Sequence, residues 1–231
     1  MPNWVYNSLA ISGPAEQISA IKEQLNKPFI KVHENFNMQT KQMEFKEYKY
    51  SNPVFAFHNI FNHLQDGVSN EDYWKQSEHK LGEPINFNGN NWYDWNVRNW
   101  GTKWDVANVD NEGYPETEIT DEGEDFIAYR FNTAWSPPIE AIIKLVDQYP
   151  KLRFSLSFEE ETGWGGEVEY VDTVEISREE YGWKCRECDH VEDETPYCEE
   201  CGFDTCPDCG YNEADEPCEQ HREGHNAHLL T

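Results

Sequence analysis

Basic residues are scarce in this sequence: 18 Lys and Arg stand against 45 Asp and Glu, giving a formal charge of −27. Nucleic-acid affinity comes largely from Lys and Arg displacing counterions, so a field of this sign disfavours duplex DNA or RNA and anionic membranes as direct partners. No apolar run approaches the roughly 20 residues that span a bilayer. The opening MPNWVYN also lacks the basic and apolar regions of a signal peptide, so a cytoplasmic location is expected. Gly-rich phosphate loops, nucleophile elbows and open metal motifs are missing, which speaks against an enzyme. Cysteine does not occur before Tyr181.

Aromatic residues, by contrast, make up 14% of the 231 positions, too many for a disordered acidic chain. The length suits one domain with a sizeable core and a smaller module. The densest aromatic stretch is NWYDWNVRNWGTKWD, Asn91 to Asp105, which holds four of the nine tryptophans. Asn91 can cap a short helix there and Gly101 can end it.

Trp4 to Ser12 alternates as a strand, with Val5, Leu9 and Ile11 on one side, and Pro14 opens a helix carrying Ile18, Ile21 and Leu25. Phe29 to Asn52 is polar and interrupted and reads as an irregular insertion. Pro53 then starts a helix through Phe57, Ile60, Phe61 and Leu64, and Ser69 caps another through Tyr73, Trp74 and Leu81 to Gly82. His58, His63 and His79 lack ligand spacing and read as packed or surface histidines. Thr102 to Val109 reads as a strand, Asp110 to Asp125 as an acidic hairpin or loop, and Phe126 to Thr133 as a strand. Ser136 can cap a helix with Ile139, Ile142, Ile143 and Val146 on one stripe. Leu152 to Phe158 is a clean strand, and Glu167 to Ile176 is a further one.

Setting the insertion aside leaves strand, helix, strand, strand, helix, strand and one added strand. That is the split βαβ order of an α+β, ferredoxin-like sandwich with both helices on one face. The expected division is residues 1–178 for this domain, with the insertion at about 27–101, and 179–231 for a small acidic zinc-ribbon module.

The motifs MPNWVYNSLAISG, NWYDWNVRNWGTKWD, FNTAWSPPIEAI and YPKLRFSLSFEEETGWGG together resemble the YubB-like, or Api-ninety-two-like, family. The likeness spans most of Met1 to Ile176. It implies a ferredoxin-like domain of unknown function carried by phages, plasmids and pathogenicity islands, and hence a bacterial host cytoplasm. The cysteine-rich tail departs from the minimal family pattern.

In that tail the pairs Cys185/Cys188, Cys198/Cys201, Cys206/Cys209 and Cys218/His221 each enclose two residues. Zinc takes about four thiolate or imidazole ligands in a tetrahedron, and such pairs form its knuckles. The simplest partition is one ion on the first two pairs and one on the last two. Cross-bracing remains open, as does His225 or His228 in place of His221. Seven cysteines in a cytosolic chain argue against disulfides. Both sites would be closed and structural.

Three functions follow as expectations. The first is a non-catalytic phage or mobile-element accessory protein that binds, and inhibits, a host defence or nucleic-acid-handling protein through that protein's basic surface. The second is a small-ligand binder that sequesters a nucleotide immune signal. Its candidate residues are Trp92, Tyr93, Trp95, Trp100, Trp104, Trp135 and Trp164, with Arg98 and Lys103 as cations. The same rings could instead pack the insertion onto the sheet. An enzyme ranks last.

Overall fold

The computed structural model describes residues 3–75, 88–110, 116–185, 190–193, 197–198 and 203–204, the last two pairs as backbone. Strand β1 (Trp4–Ser12) turns alternate residues inward, burying Val5, Asn7, Leu9 and Ile11. Helix α1 (Ala15–Leu25) lays Ile18, Ile21 and Leu25 on that inner face. Later in the chain come β4 (Thr117–Glu122), β5 (Phe126–Ala134), helix α4 (Ile139–Gln148) and β6 (Arg153–Glu160). Helix α4 buries Ala141, Ile142, Leu145 and Val146, and each large apolar side chain of this kind contributes roughly 1.5–3 kcal/mol.

The main sheet is antiparallel, with β1 between β5 and β6 and β4 outside β5. Taken as β1, α1, β4, β5, α4, β6, the chain follows the split βαβ route, with both helices in one core on the inner face. The sheet continues past β6 into β7 (Gly165–Val171) and β8 (Val174–Tyr181).

Several expectations need correcting. The second strand of the sandwich is β4, in the acidic stretch, whereas 102–109 carries no strand. One strand expected over Glu167 to Ile176 is a hairpin of two, because Asp172 and Thr173 both adopt positive φ, 51° and 65°. That is the conformation a two-residue hairpin loop requires. Ser136 does not cap α4: its Oγ donates to the Gly101 carbonyl, and Pro138 holds the cap position without a side-chain bond.

Between α1 and β4 the chain leaves the sheet. The segment read as irregular is a hairpin, β2 (Phe29–Asn37) paired in full register with β3 (Gln42–Tyr50) and, among the described residues, with no other strand. In place of the helix expected from Pro53 there is one 3-10 turn, Phe57–Asn59. Helix α2 (Asn70–Tyr73) has the expected Ser69 cap, Oγ accepting from Asp72 N at 3.1 Å, but it closes at Trp74 instead of running on toward Gly82; Leu81, Gly82 and His79 lie outside the described residues. Helix α3 (Trp92–Trp100) is capped by Asn91 and ended by Gly101 at φ 80°. A Cβ at Gly101 would come within 3.1 Å of the Pro137 carbonyl and the Ile139 amide, so α3 and the start of α4 abut there. No helix among the described residues is long and apolar enough to cross a membrane.

Candidate functional site

Among the described residues two concave surfaces stand out. The first is a cleft of about 300 Å³ between the β2–β3 hairpin and the segment from α3 to Val109, walled by Tyr73, Trp74, Trp92 and Trp104 with Lys31 and His33 from β2. Asp105 holds it together. Its Oδ1 accepts from the amides of Phe57 and Val106 at 2.8 Å, and its Oδ2 from His58 N at 3.0 Å. One carboxylate thus satisfies the open donors of the 3-10 turn and of its own loop. Burial pushes its pKa up, against the pull of the Lys31 charge and of the amides from Phe57, His58 and Ala107.

Lys31 is 7% exposed. Its Nζ lies 3.3 Å from the Tyr73 hydroxyl and 5.3 Å from the ring centres of Tyr73 and Trp100. The Tyr73 hydroxyl in turn donates to Asn96 Oδ1 at 2.7 Å. Burial, reinforced by the Lys31 charge, lowers His33 to about 4, and burial with the Lys31 and His63 charges lowers His58 to about 3. His63 is lowered too, by burial first, while its bond with Asn70 opposes the shift. His58 stacks on Phe29 at 4.2 Å and His63 on Tyr73 at 3.9 Å, so both are packed residues, as their lack of ligand spacing suggested.

These histidines fold in neutral. Below about 6.5 the unfolded chain takes up protons that the folded one refuses, so stability is complete above that pH and is lost as pH falls toward 3. A His58→Gln variant removes part of this dependence. The wild-type thermal midpoint, measured relative to the variant's, is expected to drop progressively from pH 7 to 5.5; parallel curves would contradict it.

The tryptophans divide. Trp95 and Trp100 are core rings, 0% and 1% exposed, with indole N–H groups donating to Asp66 Oδ2 and the Phe61 carbonyl. Trp164 packs edge-on against Phe158 of β6. Arg98 Nη1 donates to the Gly89 carbonyl at 2.8 Å, so it braces the approach to α3. Trp92 and Trp104 do wall the cleft. Lys103 Nζ sits 4.5 Å from the ring centre of Trp104, 4.2 Å from Trp135 and 5.9 Å from Trp92. Trp135, whose edge meets Tyr93, reaches this position with φ at 74°, a strained value for a bulky residue. Sequence reasoning missed Lys31, His33, Tyr73 and Trp74 as cleft residues. The signal was faint: Phe29, Lys31, His33 and Asn35 alternate, but within a polar, charged segment.

The second surface is the helix-free outer face of the sheet, where a groove of about 480 Å³ runs past Tyr6, Ser8, Ser157 and Glu159. Register aligns Glu118, Arg130, Ser8, Ser157, Glu167 and Glu179 across six strands. Arg130 pairs with Glu118 and Lys184 with Glu159. Glu167 and Glu179 stand directly opposite each other, and no cation among the described residues pairs with either. Like charges so placed destabilise a sheet.

Beyond Tyr181 two short hairpins follow: β9 (Trp183–Lys184) pairs with β10 (Val191–Glu192), and β11 (Tyr197–Cys198) with β12 (Phe203–Asp204). Each encloses one Cys pair in sequence. Cys185 is buried, and its amide donates to the His190 carbonyl at 2.8 Å. The proposed ligands Cys188, Cys201, Cys206, Cys209, Cys218 and His221 lie outside the described residues, and Cys198 is described as backbone. Among the described residues no group of three or more His, Cys, Asp or Glu side chains gathers as a metal site.

Comparison with known proteins places part of this architecture. Residues 102–202 match the family model described as Ferredoxin-like domain in Api92-like protein. That segment is similar to the family's ferredoxin-like domain. It takes in β4 to β8, helix α4 and the first two cysteine pairs, while β1 and α1 precede it. A crystal structure of a protein api92 from Yersinia pseudotuberculosis aligns over 80% of this chain and 100% of its own at 11% identity, with a TM-score of 0.44. No curated protein matches the chain.

Proposed function

We propose that this is a non-catalytic accessory protein of a phage or related mobile element, which binds and inhibits a host defence or nucleic-acid-handling protein through that protein's basic surface. The observation that carries this reading is the opposed pair Glu167 and Glu179 on the open sheet face, a repulsion retained in a groove that also holds Glu159. A Lys or Arg from a partner would neutralise it, and a protein of charge −27 steers toward such partners at long range. The host cytoplasm is the matching location. The double variant Glu167→Gln/Glu179→Gln is expected to gain up to about 1 kcal/mol in stability by relieving the repulsion. It should also lose the salt-sensitive partner that wild type captures from host lysate. A partner retained by the variant, or held unchanged in high salt, would sink the reading.

Two structural zinc ions complete the proposal. One is held by Cys185, Cys188, Cys198 and Cys201 and the other by Cys206, Cys209, Cys218 and His221. The antiparallel pairings β9–β10 and β11–β12 support it, since each brings together the two ends of a short segment that carries one Cys-x2-Cys pair.

A second reading, a small-ligand binder that sequesters a nucleotide signal, draws on the aromatic cleft. Planar ligands stack on Trp and Tyr faces of this kind.

A further inference from the structure

We infer that the aromatic cleft is a binding site for a planar aromatic anion, with Lys31 as the group that receives the ligand's charged oxygen. The inference rests on the small-ligand reading of the cleft and adds to it the charge of the ligand and the residue that selects for it.

An ammonium carries three donors and loses much of its hydration when buried. Lys31, more than nine-tenths buried, has one hydrogen bond, at a long 3.3 Å, and two aromatic faces. No carboxylate among the described residues forms an ion pair with it. Asp105, whose field it feels, spends both oxygens on backbone amides. His33, beside it, stays neutral through the physiological range. The floor of the cleft is therefore a cation with unused donors, inside a protein whose net charge is strongly negative. Trp74, Trp92 and Trp104 line the same cleft and supply aromatic surface for one planar group, while the Tyr73 ring is already stacked on His63 and meets Lys31. A volume of about 300 Å³ lies at the small end of ligand pockets and suits one ring system with its anionic substituent better than a dinucleotide.

Lys103 is placed differently. It lies over the rings of Trp104 and Trp135 and is already engaged by them. The buried cation that the cleft needs comes instead from the β2–β3 hairpin.

The anionic oxygen could belong to a phosphate or a carboxylate, and two ligand pairs separate these sources. Nucleoside 5′-monophosphates are titrated against their parent nucleosides, and nicotinate against nicotinamide, by tryptophan fluorescence and calorimetry on the full chain. In at least one pair the anion is expected to bind about ten- to hundredfold tighter than its neutral counterpart, and Lys31→Met is expected to bring that ratio to about one. If neutral and charged members bind alike in both pairs, or if Lys31→Met keeps the ratio, the inference falls while the ligand reading stands. If nothing saturates, both fall. Near-UV circular dichroism checks that Lys31→Met is folded. Should it not be, the wild-type preference decides alone, because aromatic walls in so acidic a protein favour the neutral ligand.

Discussion

Asp105→Ala is expected to destabilise the protein by about 3–5 kcal/mol, an effect far above that of an ordinary surface substitution. The carboxylate accepts from the amides of Phe57, His58 and Val106, the first two of which open the 3-10 turn and have no partner within it. Truncation removes the acceptor of three part-buried donors, and a buried donor left unpaired costs about 1–3 kcal/mol. Some of that is offset, because burial already disfavours the charged carboxylate. Asp105→Asn keeps one acceptor and turns an amide toward the other donors, so about half the loss is expected. Urea unfolding measures both. A midpoint for Asp105→Ala within error of wild type would show that the loop is held some other way. The variant should also disturb the cleft, since Asp105 follows Trp104 directly and anchors the wall it belongs to.

Metal removal should have the second large effect. Purified protein is expected to carry about two zinc ions per chain, and a strong chelator should unfold the tail while leaving the six-stranded sheet intact. The tail beyond Trp183 is poor in apolar residues, so little other than metal binding can offset its chain entropy. Hydrogen exchange localises the loss: amides of β9 to β12 should lose protection, while those of β1, β5 and β6 keep theirs. A serine quadruple variant at Cys185, Cys188, Cys206 and Cys209 separates the two pairings. Sequential sites would both fail, whereas cross-bracing, with those four on one ion, would leave about one zinc. Protein containing no zinc, with an intact tail, would overturn the assignment.

The elements that could be read directly from sequence are those whose side chains face a core. Strands β1, β5 and β6 alternate cleanly because one face is buried against helices, and α1 and α4 show a stripe for the same reason. Helix α3 was legible from its ends, Asn91 and Gly101, rather than from its middle. Hairpin β2–β3 failed that test because most of β3 is exposed, so no period marks it. The stretch after Gly101 has strand-like composition but no ladder, since the Asp105 side chain takes the amides of Val106 and Ala107 that a neighbouring strand would have needed. Opposed Glu167 and Glu179 were invisible until register placed them together, and Lys31 until the hairpin folded against α3. The clustering of Trp92 and Trp104 was legible, but their division of labour with Trp95 and Trp100 depended on which way one short helix faces.

Strand β1 has a consequence for how the chain becomes a protein at all. Trp4 pairs with Ala134, and Ser12 with Arg153, so the centre of the sheet joins β1 to partners that follow it much later in the chain. Such high contact order slows folding, because a long loop must close before its contacts repay the entropy. During synthesis the first strand has no ladder to enter until β5 emerges. In the meantime the β2–β3 hairpin, which needs only its own turn, can form. A fragment beginning at residue 102 would have β5 and β6 but nothing to fill the space between them, and would present two raw edges to its neighbours.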